Sequence, residues 1–286
     1  MAVIELTTSF KNSFLNFALK YEYKSISFIS RMNQNGQLDI PLSKTAKVFC
    51  EVSDLNQNII LNAIMITSGG ILMPIFSDTP PSKQVLKKMI EKVITYKNKI
   101  FCILGITKDS ENIKRILNYN SYSTIDYSLL KENSNNQFFI DKNFIKTKKA
   151  KKRDTLSLFP LEKAYLLEEV LVGNSAINQQ AALLNLKKTC TDQIVYYGLV
   201  GKEIIAKVNT NGQGFGYNQI GGVYTKPGFR NQGISTYLMK ILLNEIHKSE
   251  KKAVLYVKKE NKSALALYKN LGFIIVNNYS AHYTIS

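Results

Sequence analysis

Short apolar stretches alternate with turn residues along the first part of the chain. Apolar residues recur at helical spacing between Phe14 and Ile29, which predicts a helix or a helix pair ending near 33–36. Three apolar runs follow, and the turn residues between them predict a three-stranded meander. The strands are expected at 47–52, 59–66 and 71–76, with turns at 54–58 and 68–70.

Helical and strand patterns then alternate up to about residue 142. Pro80 and Pro81 precede an amphipathic stretch, which is typical of a helix start. A short continuous apolar run after it predicts a buried strand. The elements predicted here are a helix at 80–96, a strand at 100–106, a helix at 109–118 and strands at 123–129 and 137–140.

A similar order of elements restarts in the second half. Two helical patterns are followed by a hairpin, a further strand, an apolar helix, a strand and a last helix. The predicted helices cover 160–171 and 176–188, begin near Tyr237 and carry Asn261 with Tyr268; the predicted strands cover 193–200, 203–210, 216–225 and 253–257.

The segment 221–235 combines the end of a strand, a turn and the start of a helix. Pro227 and Gly228 end the strand, and Gly233 lets the backbone approach a ligand closely where the first helix amides point outward. These amides and the positive end of the helix dipole attract anions such as a diphosphate. Taken alone, the pattern fits an ordinary tight turn equally well.

Two motifs resemble those of a known superfamily. The first, Arg230-x-x-Gly233-x-Ser235, resembles the R/Q-x-x-G-x-G/A signature of the GNAT superfamily of acyl-CoA N-acyltransferases, with Ser235 in place of the usual Gly or Ala. The second, Asn261-x-x-A-x-x-L-Tyr268-x-x-x-G-F, resembles the second hallmark of the same superfamily. Both stand in the expected order along the chain.

The resemblance implies a fold, a cosubstrate and roles for particular residues. It implies an α/β (α+β) chain of two GNAT-like domains, each a mixed, mostly antiparallel sheet flanked by helices. Val223 and Thr225 would bond the pantetheine arm of acetyl-CoA, and Asn261 would contact CoA. Tyr268 would be the general acid for the departing thiolate. The residues implied to bind acetyl-CoA are Val223, Tyr224, Thr225, Arg230, Asn231, Gln232, Gly233, Ile234, Ser235, Asn261 and Tyr268.

The general base is left with several candidates. Glu168 and Glu169 lie on the first predicted helix of the second half, which borders the acceptor site in relatives. Adjacent helical residues point about 100° apart, so at most one of them is expected to face the cleft. A solvated acidic face explains the pair equally well. His282, in the last strand, is an outside candidate, whereas His247 lies too far along its helix.

The first half lacks the motifs of the second. Where a phosphate-binding loop would follow the third strand, Pro80 and Pro81 remove two amide donors and Asp78 adds a negative charge. We therefore expect a degenerate GNAT-like domain at 1–142 that does not bind CoA and either completes the substrate cleft or serves as a scaffold. A basic linker at 143–155 would lead to a catalytic domain at 156–286.

Positive charge is concentrated between the predicted domains. The chain has a formal net charge of +17, and the run 146–153 is almost entirely basic. A solvated linker is favoured over a nucleic-acid contact, because four of the 38 basic residues are Arg and nucleic-acid readers favour its bidentate fork. The positive field would help to collect the phosphates of CoA.

Composition excludes several classes of protein. The three cysteines, Cys50, Cys102 and Cys190, have no metal-ligand spacing and no disulfide framework is expected. No apolar run is long enough to span a membrane and no signal peptide is recognised, so we expect a cytoplasmic protein. From the cysteine spacing we expect no metal site.

Three functions are compatible with these patterns. The leading one is an N-acetyltransferase that moves an acetyl group from acetyl-CoA to an amine by direct attack in a ternary complex. The acceptor is open among a protein lysine, a protein N-terminus and a small amine, and the oligomeric state is open too. The alternatives are a non-catalytic acyl-CoA-binding sensor and a nucleic-acid-associated protein that uses the basic linker.

Overall fold

The computed structural model describes residues 2–34, 36–40, 45–53, 59–119, 121–133, 137–141, 144–170 and 176–285. Its helices are α1 Lys11–Tyr21, α2 Ile26–Met32, α3 Lys83–Tyr96, α4 Thr107–Leu117, α5 Thr155–Tyr165, α6 Gln179–Asp192, α7 Ile234–His247 and α8 Lys262–Asn270. A π-helical turn, Leu166–Val170, continues α5.

The strands form one long sheet and one small hairpin. They are β1 Ala2–Glu5, β2 Asn33–Gln34, β3 Gln37–Leu38, β4 Ala46–Val52, β5 Ile60–Thr67, β6 Ile71–Phe76, β7 Cys102–Ile106, β8 Tyr122–Glu132, β9 Lys146–Lys149, β10 Val195–Val200, β11 Glu203–Gln213, β12 Tyr217–Thr225, β13 Lys252–Lys258 and β14 Phe273–Thr284. Twelve strands lie in the order β1-β4-β5-β6-β7-β14-β8-β13-β12-β11-β10-β9, while β2 pairs with β3.

The same supersecondary unit occurs twice in the long sheet. In the first half, β6 is followed by α3 and then by β7, which lies parallel to β6. In the second half, β12 is followed by α7 and then by β13, which lies parallel to β12. A parallel pair needs a crossover connection, and a helix provides it in both cases. The other pairings within the described part of the sheet are antiparallel.

The last strand of the chain lies inside the first half of the sheet. β14 is hydrogen-bonded to β7 on one side and to β8 on the other, and β8 in turn pairs with β13. Tyr279 on β14 is thereby opposite Tyr127 on β8, and Ala281 is opposite Leu104 on β7. The two halves are therefore joined by backbone pairing as well as by packing.

Helices cover both faces of the sheet. α1, α2 and α5 contact one face, and α3, α4, α7 and α8 contact the other. Strand residues alternate between the two cores as the pleat requires. Met65 packs in the cluster beneath α1 and α2, whereas its neighbour Ile66 packs beneath α3. In the same way, Val254 and Leu255 belong to different clusters.

Most predicted elements are confirmed, and two are wrong. The meander, the helix pair, the hairpin and the strands and helices around 221–268 are present, with ends shifted by a few residues. The expected strand at 137–140 is absent, because the side chain of Asn244 on α7 takes both backbone groups of Phe138. The helix expected to start at Pro160 starts at Thr155, after a 3-10 turn in which Asp154 accepts a hydrogen bond from the Lys151 amide.

Two further predicted segments are a turn and the basic linker. The turn expected at 54–58 lies outside the described residues. Within the predicted linker, Lys146–Lys149 form β9 and pair with β10 at the edge of the sheet. Lys149 there forms an ion pair with Glu245 on α7, at 2.5 Å.

The carboxylate of Glu22 connects the two halves through backbone amides. It lies in a 3-10 turn between α1 and α2 and is 1% exposed. Its oxygens accept hydrogen bonds from the amides of Phe215, at 2.6 Å, and Gly216, at 3.0 Å, in the turn before β12. Burial without these bonds would leave two orphan donors.

We expect Glu22→Ala to lower the free energy of unfolding by about 2–4 kcal/mol, because it leaves two buried amides without an acceptor. Denaturant unfolding measures the change. Glu91→Ala, at an exposed position of α3, is the control and should change stability by less than about 0.5 kcal/mol. Equal stability of the two variants would show that the Glu22 contacts do not hold the halves together.

Candidate active site

β12 and β13 separate partway along their length. Their parallel pairing joins Tyr217–Ile220 to Lys252–Leu255 and goes no further in this described region, although β12 continues to Thr225 and β13 to Lys258. A bulge accounts for the divergence. Gly222 and Val223 of β12 stand opposite one residue of β11, between the pairs Lys207↔Tyr224 and Asn209↔Gly221, and Gly222 has a φ of 57°.

A buried lysine side chain fixes the bulge. Lys207 on β11 is 2% exposed, and its Nζ donates to the carbonyl oxygen of Gly222 at 3.1 Å and to Oδ1 of Asn209 at 3.0 Å. The same Nζ lies 2.8 Å from Oε2 of Glu162 on α5 and 4.6 Å from the centre of the Tyr165 ring. The ammonium group of Lys207 thus links the bulge to α5. The sequence offered one signal for this residue, a lysine between the apolar neighbours Ala206 and Val208.

A cavity of about 750 Å³ opens where the two strands separate. Its walls come from both faces of the sheet: Tyr165 belongs to the α5 side, and Leu267 and Tyr268 belong to the α8 side. The cavity therefore passes through the sheet. Twelve of the predicted site residues line it, namely Glu168, Glu169, Val223, Tyr224, Thr225, Arg230, Asn231, Gly233, Ile234, Ser235, Asn261 and Tyr268. Gln232 is not among the lining residues, and its Nε2 donates instead to the Gly228 carbonyl oxygen.

The first turn of α7 forms one end of the cavity. Gly233 is its N-cap residue with a φ of 75°, and no side chain caps the helix amides. A Cβ on Gly233 would have Phe144 Cζ as its nearest contact, at 3.8 Å, so the space above the amides is open. The Ser235 and Thr225 hydroxyl groups share a hydrogen bond of 2.7 Å that holds α7 against the end of β12. Uncapped amides beside an open space fit a diphosphate.

The corresponding position in the first half is closed. Ser82 is the N-cap residue of α3, and its side chain accepts a hydrogen bond from the Val85 amide. Asp78 in the preceding loop pairs with Lys24. β6 and β7 also separate early, but Pro74 fills the space: a Cβ on Gly105 would lie 2.9 Å from the Pro74 ring.

Arg230 and Glu168 form an ion pair beside the uncapped start of α7. We call this start, with Gly233, Ile234 and Ser235, the cradle. Nη2 of Arg230 lies 2.7 Å from Oε1 and 2.8 Å from Oε2 of Glu168, and Tyr224 donates its hydroxyl to the same carboxylate at 3.0 Å. The hydrogen bond from Arg230 is the main cause that lowers the pKa of Glu168. A carboxylate held in this way is a weak proton acceptor. Both groups are partly exposed, so an incoming anion can compete for Arg230.

Tyr268 is buried where the cavity crosses the sheet. It is 7% exposed, and its ring packs edge-on against Phe273. Burial, followed by the nearby Tyr165 and Glu169, raises the pKa of its phenol well above the ordinary value. The group therefore keeps its proton at neutral pH. Because it is protonated, it has a proton to donate or share and does not act as a base.

Asn261 has a structural role at the start of α8. Its Oδ1 accepts hydrogen bonds from the Ala264 amide and the Ser263 hydroxyl, both at 3.0 Å. The oxygen is thus engaged in capping the helix. A ligand contact from this side chain would have to come from Nδ2.

The two histidines lie away from the cavity. His282 is fully buried on the α4 side of β14, where its ring nitrogens contact Ser110 and Thr124. Nε2 of His247 lies 2.8 Å from Oε1 of Glu132. Neither is among the lining residues. The position of His282 removes it as a candidate for the general base.

Comparisons with known proteins agree with this architecture. Residues 196–281 match a protein-family model described as FR47-like protein. Over its whole length the chain resembles solved structures of low sequence identity. A Drosophila protein aligns over 99% of this chain and 98% of its own, at 11% identity and a TM-score of 0.70. A GNAT-family acetyltransferase from Colwellia psychrerythraea aligns over 100% of both chains, at 13% identity and a TM-score of 0.55.

A third solved structure is also similar to this chain over nearly its whole length. A GCN5-related N-acetyltransferase from Sphaerobacter thermophilus covers 98% of this chain and 94% of its own, at 11% identity and a TM-score of 0.58. The chain has the GNAT fold. This confirms the predicted fold class and the resemblance that the motifs at 230–235 and 261–273 indicated. A search of curated protein sequences found no match to the chain.

Two kinds of structural feature are absent from the described residues. No helix there is long and apolar enough to cross a membrane. No group of three or more His, Cys, Asp or Glu side chains in the described part of the chain is arranged to hold a metal ion.

We expect Gly233→Glu to abolish stabilisation by CoA, because the new side chain fills the open space above the first turn of α7 and brings a negative charge to the helix amides. Thermal unfolding with and without CoA measures the loss, and the unliganded protein reports the strain of a non-glycine residue at positive φ. Gly69→Glu, in a turn far from the cavity, is the control and should keep the full shift. Retained CoA stabilisation in Gly233→Glu would contradict the assignment of the cradle.

Proposed function

We propose that the chain is an N-acetyltransferase that moves an acetyl group from acetyl-CoA to a primary amine in a ternary complex. One observation carries the proposal: the uncapped start of α7, the free edge of β12 and the buried phenol of Tyr268 all line one cavity through the sheet. When bound, acetyl-CoA supplies the acetyl group as an activated thioester.

The cradle residues bind the diphosphate in this proposal. The amides of Ile234 and Ser235 at the start of α7 point toward it, and Arg230 exchanges its Glu168 partner for a phosphate oxygen. Beyond Ile220 the backbone of β12 has lost its β13 partner, so the backbone of Val223 and the amide of Thr225 are available to bond the pantetheine arm as an added strand would. The carbonyl oxygen of Thr225 already accepts a hydrogen bond from Nε of Arg230, at 3.0 Å.

Tyr268 acts as the proton donor to the departing sulfur. Its raised pKa keeps the phenol protonated before the transfer. Glu169 is the better of the two glutamates as the base, because Arg230 and Tyr224 already occupy Glu168. Glu169 lines the same cavity and accepts the amine proton directly or through water.

We assign acetyl transfer to 156–286 and no CoA site to 1–142. The Ser82 cap on α3 and the contact of Pro74 with Gly105 support this division, because they occupy the two places that a CoA molecule would need. The first half then serves the reaction through the strands it contributes beside the cavity.

We expect acetyl-CoA and CoA to raise the melting temperature, whereas ATP at equal concentration should not. A ligand at 100 times its Kd stabilises the native state by about 2.7 kcal/mol, which a thermal titration detects readily. ATP controls for general attraction of anions to a basic chain. Equal shifts with all three ligands, or none with any, would reject the CoA site.

We expect Tyr268→Phe to lower turnover about 100-fold or more while the stabilisation by acetyl-CoA stays unchanged, because the variant keeps the ring and loses the proton. Thiol release from acetyl-CoA with a panel of primary amines gives the rate. Tyr237→Phe is the matched control, since Tyr237 is a buried tyrosine on α7 that does not line the cavity. An unchanged rate in Tyr268→Phe would assign the proton donor to another group. If none of the amines caused thiol release from acetyl-CoA, a binding protein would be favoured over an enzyme.

A further inference from the structure

The cavity continues beyond the gap into a chamber on the α2 side of the sheet. Its wall carries four tyrosines on three adjacent strands: Tyr256 on β13, Tyr127 on β8, and Tyr279 and Tyr283 on β14. We call this set the tyrosine chamber. Tyr279 is directly opposite Tyr127 in the sheet, and the ring centres of Tyr256 and Tyr279 are 4.2 Å apart.

The tyrosine chamber exists because of the position of β14. Tyr256 belongs to the second half of the chain and Tyr127 to the first, and β14 brings Tyr279 and Tyr283 beside Tyr127 from the far end of the sequence. The period-2 alternation of the three strands turns all four side chains to the same face. Both halves of the chain are therefore needed to build this wall.

Leu104, Ala281 and the Ser27 hydroxyl complete the chamber. Among the described lining residues, one formal charge lies beside the tyrosines: Lys258, which is directly opposite Tyr127 in the sheet. Burial raises the pKa of Tyr256 to about 12 and raises that of Tyr279 well above its ordinary value, so both phenols are neutral near pH 7. The Tyr256 hydroxyl is enclosed and has the hydroxyl groups of Tyr279 and Ser27 as its neighbours.

Three of the four charged side chains that line the cavity in the described part of the chain lie near the gap: Glu168 and Glu169 follow α5, and Arg230 is paired with Glu168. The fourth, Lys258 at the end of β13, is directly opposite Tyr127 in the sheet. The cavity is thus mostly charged around the gap and mostly aromatic beyond it. Aromatic walls with a few hydroxyl groups favour an aromatic ring, and a charged group placed among them loses hydration that neutral hydroxyl groups do not fully replace. The ammonium group of Lys258 also repels a second ammonium group there.

We propose that the tyrosine chamber binds the acceptor, and that the acceptor is a small primary amine with an uncharged aromatic body. The inference rests on the proposed function. The ring lies among the tyrosines and the amino group points to the gap, where Glu169 and Tyr268 meet the cavity. The amine nitrogen bonds to the acetyl carbonyl carbon as the carbon–sulfur bond breaks. One amine proton passes to Glu169, the sulfur takes the proton of Tyr268, and the products are an amide and a thiol.

Binding to the wild-type protein loaded with CoA tests the class of acceptor. The probes are 2-phenylethylamine, putrescine, glycine and Nα-acetyl-lysine methylamide, measured by calorimetry. We expect 2-phenylethylamine to bind at least about tenfold more tightly than the other three. If CoA binds and 2-phenylethylamine has no such advantage, the inference is wrong while the proposed function stands. If CoA itself does not bind, the proposed function fails and the inference fails with it.

A variant locates the binding. Tyr127→Leu should raise the Kd of 2-phenylethylamine about tenfold and leave the Kd of CoA unchanged, whereas Tyr96→Leu, at the exposed end of α3, should change neither. Comparing acetyl-CoA with hexanoyl-CoA tests whether the chamber holds the acyl group instead. If Tyr127→Leu alters the preference between the two thioesters and leaves amine binding unchanged, the acceptor assignment is overturned. Should that variant fold poorly, the wild-type probe series decides alone.

Discussion

The separation of β12 from β13 is the constraint on which the rest of the site depends. Two parallel strands would ordinarily pair along their full length, and a closed pair would leave no passage through the sheet. Here the bulge at Gly222 turns β12 away from its neighbour, and the buried ammonium group of Lys207 holds the carbonyl oxygen of that residue. The charge of Lys207 is balanced by Glu162, so the same interaction fixes α5 beside the passage. The unpaired edge of β12 follows from this local distortion, and the uncapped start of α7 and the phenol of Tyr268 border the passage that it opens.

The two halves of the chain use the same unit with opposite results. Each has a strand, a helix and a parallel strand that separates early, yet Pro74 and Ser82 close the first while Gly222 and Gly233 open the second. The first half is more than a closed copy. It receives β14 between β7 and β8, and it contributes Tyr127 and Leu104 to the cavity. A chain cut at the predicted linker would lose this wall, because β14 pairs with strands from the other side of the cut.

The strand, turn and helix around 221–235 were predictable from the sequence because their determinants are local. A strand that ends at Thr225, a Gly at 233 and an apolar helix after it are recorded within fifteen residues of sequence, and the structure places them as the pattern predicts. The strand expected at 137–140 shows the limit of local patterns. Its apolar residues fit a strand, but the partner of its backbone is the side chain of Asn244, more than a hundred residues away.

The tyrosine chamber and Lys207 were missed for the same reason. Tyr127, Tyr256 and Tyr279 are ordinary aromatic positions in three separate strands, and they meet through a strand order that no periodicity encodes. A charged residue among apolar neighbours, as at Lys207, could have been marked as a buried partner. Its target, the carbonyl oxygen of a bulged glycine, depends on tertiary structure.

Amide hydrogen exchange with and without CoA tests the central claim most directly, because it reports the backbone groups themselves. The account predicts that CoA slows exchange at 221–225 and 234–236, where β12 has lost its partner and α7 lacks a cap, and leaves the first turn of α3 at 83–85 unchanged. Equal protection at α3, or none at the edge of β12, would contradict the account of a single passage between β12 and β13.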